Sequence, residues 1–129
     1  MADKIVLADT SILIDYFRKT DKAKSSLILL HRRGYDFCMS AVTEFEIYAG
    51  ATPEQIPYWQ NLLENAEVLP FDKKVVAVAV SINKELKRKR KQIGIADLFI
   101  AATAIANNIP LSTLNKKHFE RIDNLLVVE

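Results

Sequence analysis

The stretch Lys4-Ile5-Val6-Leu7-Ala8-Asp9-Thr10-Ser11 sets four apolar residues in a row directly against an acid and two hydroxyls. An unbroken apolar run leaves no polar face, which is the pattern of a strand buried on both sides in a parallel sheet. Asp9-Thr10-Ser11 then supplies residue types that cap a helix, so the segment reads as a strand over Lys4 to Ala8 and a helix over Ile12 to Arg18. The same alternation runs through the chain. Helical spacing and helix punctuation mark Lys22 to Arg33, Val42 to Ala49 between Ser40 and Gly50, and Pro53 to Ala66 with Pro53 in its first turn. They also mark a long helix from Asp72 toward Lys87, a helix over Ile95 to Asn107, and a polar turn at Lys116 to Arg121. Short strands are expected at Asp36 to Met39, Glu67 to Phe71 and Leu125 to Val128. Parallel strands need long crossovers, normally right-handed and helical. The expected architecture is therefore α/β in three layers, a parallel sheet flanked by helices, with its ligand crevice beyond the carboxyl ends of the strands.

The chain has 129 residues, half of them hydrophobic and 26% charged, which fits one globular domain over 1–129 and excludes disorder or a coiled coil. Lys and Arg total 18 against 16 Asp and Glu, so the net charge of +2 names no partner by itself. Cys38 is the only cysteine and lies among apolar residues, the setting of a buried inert thiol in a reducing compartment. The apolar run before Asp9 is too short for a signal core or a membrane span, so a cytoplasmic location is expected. Phosphate-binding P-loop, dinucleotide and nucleophile-elbow patterns are missing, and one cysteine with the distant His31 and His118 makes no zinc site.

Acids that break the apolar pattern carry the functional information. Asp9 follows the first strand, where it serves either as a helix cap or as an oxygen ligand for a hard cation. At 100° per residue, Glu46 shares a stripe with Val42, Phe45 and Ala49 and is expected to face inward. Asp97 shares a face with Ile100, Ala101 and Ala104, although an acid in a first helical turn also suits the helix dipole. A buried carboxylate is costly without a cation or several donors. Three such acids meeting in one crevice would repel unless divalent metal neutralised them, and oxygen donors favour Mg²⁺ or Mn²⁺.

Four blocks together resemble the signatures of PIN-domain ribonucleases, and more narrowly the VapC-type toxins. They are Asp9-Thr10-Ser11 after a strand, Ser40 to Gly50 around Glu46, Asp97 to Ala104, and Leu111 to Phe119, in order and with family-like spacing. The resemblance implies a Rossmann-like parallel sheet and a Mg²⁺- or Mn²⁺-dependent endoribonuclease. It also implies a homodimer held inactive by a cognate antitoxin, with RNA as substrate. Asp9, Glu46 and Asp97 match the family's recurrent acids and would hold one or two ions. The fourth block departs from the commonest pattern, with Asn115 where many members have an acid and His118 where an Asp often precedes Phe.

Around these acids, Thr10, Ser11, Thr113 and Asn115 are candidates to orient the metal's ligands or contact substrate phosphate, against a reading as caps and turns. Lys87-Arg88-Lys89-Arg90-Lys91 is either an RNA-phosphate surface or a solvated helix end. Tyr48, Tyr58 and Trp59 read as core or dimer surface rather than base-stacking groups, Asp15 as structural, and His31 as a surface residue. The regions Ile12 to Arg18 and Pro53 to Ala66 are the expected antitoxin contacts. Two alternatives stand beside the nuclease: a non-catalytic PIN-like RNA-binding or scaffold domain, and a receiver-like phosphoacceptor. A receiver, however, gathers its acids nearer the N-terminus.

Overall fold

The computed structural model describes residues 4–128. Strand β1 (Lys4–Ala8) leads into α1 (Thr10–Arg18), a 3₁₀ turn (Lys22–Lys24), α2 (Ser26–Arg32), β2 (Tyr35–Ser40) and α3 (Ala41–Gly50). Then follow α4 (Ile56–Leu63), β3 (Glu67–Leu69), α5 (Lys73–Arg88), α6 (Ile95–Ala106), β4 (Leu111–Ser112) and α7 (Lys116–Phe119). The sheet is wholly parallel in the order β3-β2-β1-β4, with Leu7 opposite Cys38 on one side and Leu111 on the other. The three-layer α/β architecture is as the apolar runs require.

Because side chains alternate along a strand, each inner strand feeds two cores. Leu7, Cys38 and Leu111 join Val75, Ala79, Leu98 and Ile100 from α5 and α6 on one face. Ala8 and Met39 join Ile12, Leu13, Ile47 and Trp59 on the other, from α1, α3 and α4. Helix α6, apolar nearly all round, buries six of its residues, as such helices must. Trp59 is buried and stacked on Phe17 at 5.1 Å between centroids, so it belongs to this core. Cys38 is buried as expected, and burial pushes its thiol up to about 11.

Several boundaries differ from the sequence expectation. The helix expected over Lys22 to Arg33 breaks at Ser25, whose extended backbone caps α2 while its hydroxyl donates to the Lys22 carbonyl at 2.6 Å. In the Pro53 to Ala66 region the helix starts only at Ile56, and Pro57 rather than Pro53 fills the first turn. Gly50 is the last residue of α3. Strand β3 stops at Leu69 because Pro70 has no N–H for the ladder. The strand expected at Leu125 to Val128 is reduced to a bridge between Val127 and Leu111, since the two-residue β4 offers it no longer edge.

The end of α5 carries a conformational anomaly. Arg90 adopts φ +57°, and the bonds Lys91 N–H to Leu86 carbonyl at 2.9 Å and Arg90 N–H to Lys87 carbonyl at 3.1 Å complete a Schellman cap. Helix α6 closes in the same way with Asn108 at φ +54°, and α2 ends at Gly34 with φ +91°. Gly and Asn tolerate this region, whereas arginine is strained there. Arg90→Gly is therefore expected to raise the unfolding free energy by roughly 0.5–1 kcal/mol after the added freedom of the unfolded chain is subtracted. Gly34→Ala, where open space surrounds the new Cβ, should lower it by about 1 kcal/mol through backbone strain alone. Denaturant titration of both variants checks the pair.

Candidate active site

In a doubly wound sheet the ligand crevice opens where strand order reverses. Here β1 runs out to β2 and β3 on one side and to β4 on the other, so the reversal lies between β1 and β4. The residue after β1 is Asp9 and the residue after β4 is Thr113. Thr113 Oγ1 donates to Asp9 Oδ2 at 2.7 Å across this point.

Asp9 is only 3% exposed, and its carboxylate is satisfied by neutral donors. Oδ1 accepts the Thr10 N–H at 2.8 Å, and Oδ2 accepts the Ser11 hydroxyl at 2.9 Å besides that of Thr113. Asp9 thus occupies the N-cap position of α1, and capping and site-building coincide in one side chain. Ser11 Oγ also accepts the Leu114 N–H at 3.0 Å, and Thr113 Oγ1 accepts that of Asn115 at 2.9 Å, tying the loop after β4 to α1.

The other acids join from separate helices. Thr10 Oγ1 donates to Glu46 Oε1 at 2.6 Å and lies 3.1 Å from Thr43 Oγ1. Ser40 caps α3 by accepting the Thr43 N–H at 3.0 Å, as the sequence leads one to expect. The inward stripe drawn through Val42, Phe45, Glu46 and Ala49 is displaced, however. Thr43 and Ile47 are the buried line, Phe45 is 70% exposed, Ala49 is exposed, and Glu46 sits half-buried at the flank. Hydrophobicity misassigned Phe45, while a buried threonine marks the true inner face.

Asp97 stands in the first turn of α6, on the face with buried Ile100, Ala101 and Ala104 as its spacing predicts. His118 Nδ1 lies 3.0 Å from its Oδ2. Burial raises the Asp97 carboxyl above its ordinary range, the His118 hydrogen bond opposes this, and the negative charge of Asp9 adds to the rise. Asp9 and Asp97 therefore feel one another across the crevice.

Among the described residues no group of three His, Cys, Asp or Glu side chains stands close enough to enclose an ion, so Asp9, Glu46 and Asp97 do not form a closed cage. They are joined instead through Thr10 and through the mutual field of Asp9 and Asp97. Nor does any Lys or Arg of the described residues pair with them. Asn115 donates its backbone N–H to Thr113 Oγ1. Thr43 and His118 are site members that periodicity did not single out, and a hydroxyl three residues before Glu46 was the available signal for the first.

The basic run divides. Arg88 pairs with Glu85, and Lys89 reaches Glu85 at 3.5 Å and Asp123 at 3.1 Å. No hydrogen bond or ion pair holds the side chains of Lys87, Arg90 or Lys91 among the described residues. Asp15 caps α2 by accepting the Ser26 N–H at 2.9 Å, a structural role, and His31 is exposed.

A PIN-domain family model matches residues 6–125. The chain belongs to the PIN-domain family. It is 36% identical over 118 residues, 91% of this chain and 80% of the relative, to Ribonuclease VapC1 of Methanocaldococcus jannaschii. Its fold is similar to that in VapBC-1 of nontypeable Haemophilus influenzae, with TM-score 0.81, 27% identity and 97% of each chain covered. It is also similar to VapBC2 of Rickettsia felis bound to a promoter DNA fragment, with TM-score 0.80, 28% identity, and 96% and 97% covered. The four blocks quoted from the sequence lie at strand ends and in helices within the matched residues.

The raised Asp97 carboxyl sets a pH dependence. Between its unfolded and folded values the native state binds more protons than the unfolded one, so stability falls as pH rises through that window. Ionised Asp97 is then a net cost at neutral pH. In chelator-treated protein, Asp97→Asn is expected to be more stable than wild type at pH 7, with the advantage fading as pH drops below the ordinary carboxylate range. Melting curves across pH 3 to 7 measure it.

Proposed function

We propose that this PIN domain is a divalent-metal-dependent endoribonuclease that hydrolyses RNA phosphodiester bonds, and that it is the toxin of a VapBC-type toxin–antitoxin pair. The observation that carries the reading is the set of acids at the switch point, held by hydroxyls and an imidazole rather than by Lys or Arg, in a fold whose relatives are named ribonucleases. A carboxylate satisfied by neutral hydroxyls keeps its full negative charge for a cation.

The donor set fits Mg²⁺ or Mn²⁺. All candidate ligands are carboxylate oxygens, and Mg²⁺ is commonly held by one or two carboxylates with water and substrate phosphate completing its shell. The charge of Asp9 acts on Asp97, and Glu46 is tied to the start of α1 through the Thr10 hydroxyl. When bound, the ion supplies Lewis acidity at the phosphate and a water of lowered pKa. Thr113 and Ser11 orient Asp9, Thr10 orients Glu46, and His118 orients Asp97. The apolar cores behind these side chains keep them from turning away.

Arg90 and Lys91 precede α6 and its Asp97 by a few residues, and Arg121 donates to the Gln92 carbonyl at 3.3 Å, fastening the loop after α7 along this segment. RNA phosphates are proposed to follow this basic margin to the acids, with Lys87, Arg88 and Lys89 at its rear. The antitoxin is proposed to lie over a second cleft between α1, α3 and α4, lined by Ile14, Phe17, Glu46 and Trp59. A homodimer and a cytoplasmic location complete the proposal. Among the described residues no helix is long and apolar enough to cross a membrane.

Incubation of purified protein with a mixed RNA pool tests the activity. Cleavage should require added Mg²⁺ or Mn²⁺ and fall at least about 100-fold in each of Asp9→Asn, Glu46→Gln and Asp97→Asn. Wild-type cleavage by Asp97→Asn in metal-replete buffer would remove that residue from the site. Binding of single-stranded RNA in chelator as a function of salt tests the basic margin. Arg90→Gln combined with Lys91→Gln should reduce the log–log salt slope by about 1.4, or about 0.7 for each phosphate no longer neutralised.

A further inference from the structure

Helix α7 is only four residues long, yet it is fixed independently of the acids. Phe119, 1% exposed, sits in the core formed with α5 and α6, and the His118 N–H donates to the Asn115 carbonyl at 2.9 Å. His118 therefore owes its place to the residue beside it rather than to its own side chain. Its imidazole is 57% exposed, and the Asp97 side chain that it meets is 26% exposed. The pair stands open to water, so an ion reaches both groups without disturbing the core.

Beyond the carboxylates, this imidazole puts a nitrogen within reach of the same ion. His118 Nδ1 and Asp97 Oδ2 lie 3.0 Å apart. Neighbouring donors on an octahedron with bonds of about 2.1 Å are also separated by about 3 Å, because the two bonds meet at a right angle. The position between the two atoms takes a proton when Nδ1 carries one, which is the hydrogen bond that orients Asp97. The neutral imidazole with its proton on Nε2 instead turns a lone pair toward the carboxylate, and two facing lone pairs call for a cation between them. No Lys or Arg among the described residues pairs with Asp97 to supply that cation.

Donor type then decides the ion. Mg²⁺ keeps to oxygen donors and gives up its water reluctantly, whereas first-row transition ions accept imidazole nitrogen as well. Two protein donors, with water and phosphate completing the shell, agree with the lack of a closed three-residue cage among the described residues. We infer that His118 is a nitrogen ligand to the site's ion beside Asp97, and that it selects Mn²⁺ over Mg²⁺. The inference rests on the metal-dependent reading of the acids and narrows which of the two ions the site takes.

Ion binding by the purified full chain, without RNA, tests it with no activity involved. Mn²⁺ is titrated in competition with Mg²⁺, and pulsed electron paramagnetic resonance of the Mn²⁺-loaded protein reports nitrogen bonded to the ion. Wild type should prefer Mn²⁺ and show a nitrogen coupling that changes when histidine is labelled with ¹⁵N. His118→Asn keeps an amide N–H for Asp97 but removes the ring nitrogen. In it the coupling should vanish and Mn²⁺ affinity fall about tenfold or more, with Mg²⁺ affinity little changed. His118→Asp restores a donor as oxygen and should bring Mg²⁺ binding level with Mn²⁺, while His31→Asn leaves the coupling in place. An imidazole that merely oriented Asp97 would on replacement weaken both ions alike. That result, or Mn²⁺ bound to wild type without nitrogen coupling, overturns the inference and leaves the acids as a metal site. Binding of neither ion, or binding that Asp97→Asn does not weaken, removes the metal from Asp97 and overturns both readings together.

Discussion

The hydrogen bond from Thr113 to Asp9, 2.7 Å long and buried, is the constraint on which the site depends. Removing a carboxylate from water is costly unless donors replace the lost hydration. Lysine or arginine would satisfy Asp9 more strongly but would also neutralise it. Three donors without charge, from Thr10, Ser11 and Thr113, make burial tolerable and leave the negative charge intact. The same device serves Glu46, whose partner is the Thr10 hydroxyl. The fold thus protects an unneutralised anionic centre, and the Asp97 carboxyl rises mainly because it is withdrawn from water, with the charge of Asp9 adding a smaller part.

Sheet order explains why residues so far apart in sequence meet. With β1 central and β2 and β4 on either side of it, the carboxyl ends of β1 and β4 lie side by side, which brings Asp9 to Thr113. Helix α3 leaves the end of β2 at Ser40 and delivers Glu46 one and a half turns later, while α6 delivers Asp97 in its first turn. Asp9 sits directly after a strand, Asp97 in the first turn of a helix and Glu46 midway along one. Backbone geometry fixes such positions more firmly than loops do.

This is also why so much is legible in the sequence alone. Strand β1 and the inward face of α6 follow from short apolar runs and local spacing, with no tertiary information required. The errors arise where tertiary contacts override local pattern. Phe45 looks like core by hydropathy but faces out, because the line from Thr43 to Ile47 packs inward and Thr43 must reach Thr10. Ser25 breaks an otherwise continuous helical pattern because α2 must turn so that its cap and the Asp15 side chain can meet the Ser26 end. The pairing of His118 with Asp97 joins elements 21 residues apart, and no periodicity encodes it.

Charge around the centre follows a complementary logic. Within five consecutive basic residues, Arg88 and Lys89 are matched by Glu85 and Asp123 and serve the helix end, while Arg90 and Lys91 stay unmatched among the described residues. Arg90 does so from a left-handed conformation that glycine would occupy at lower cost. A cap built for stability alone would place glycine there, as at Gly34, or asparagine, as at Asn108. Arginine at that turn sacrifices backbone energy and leaves a cation in the segment before α6, the helix that carries Asp97. That exchange favours a polyanionic chain as what the site receives: one that needs cations along its path and a counterion where its phosphate meets the acids.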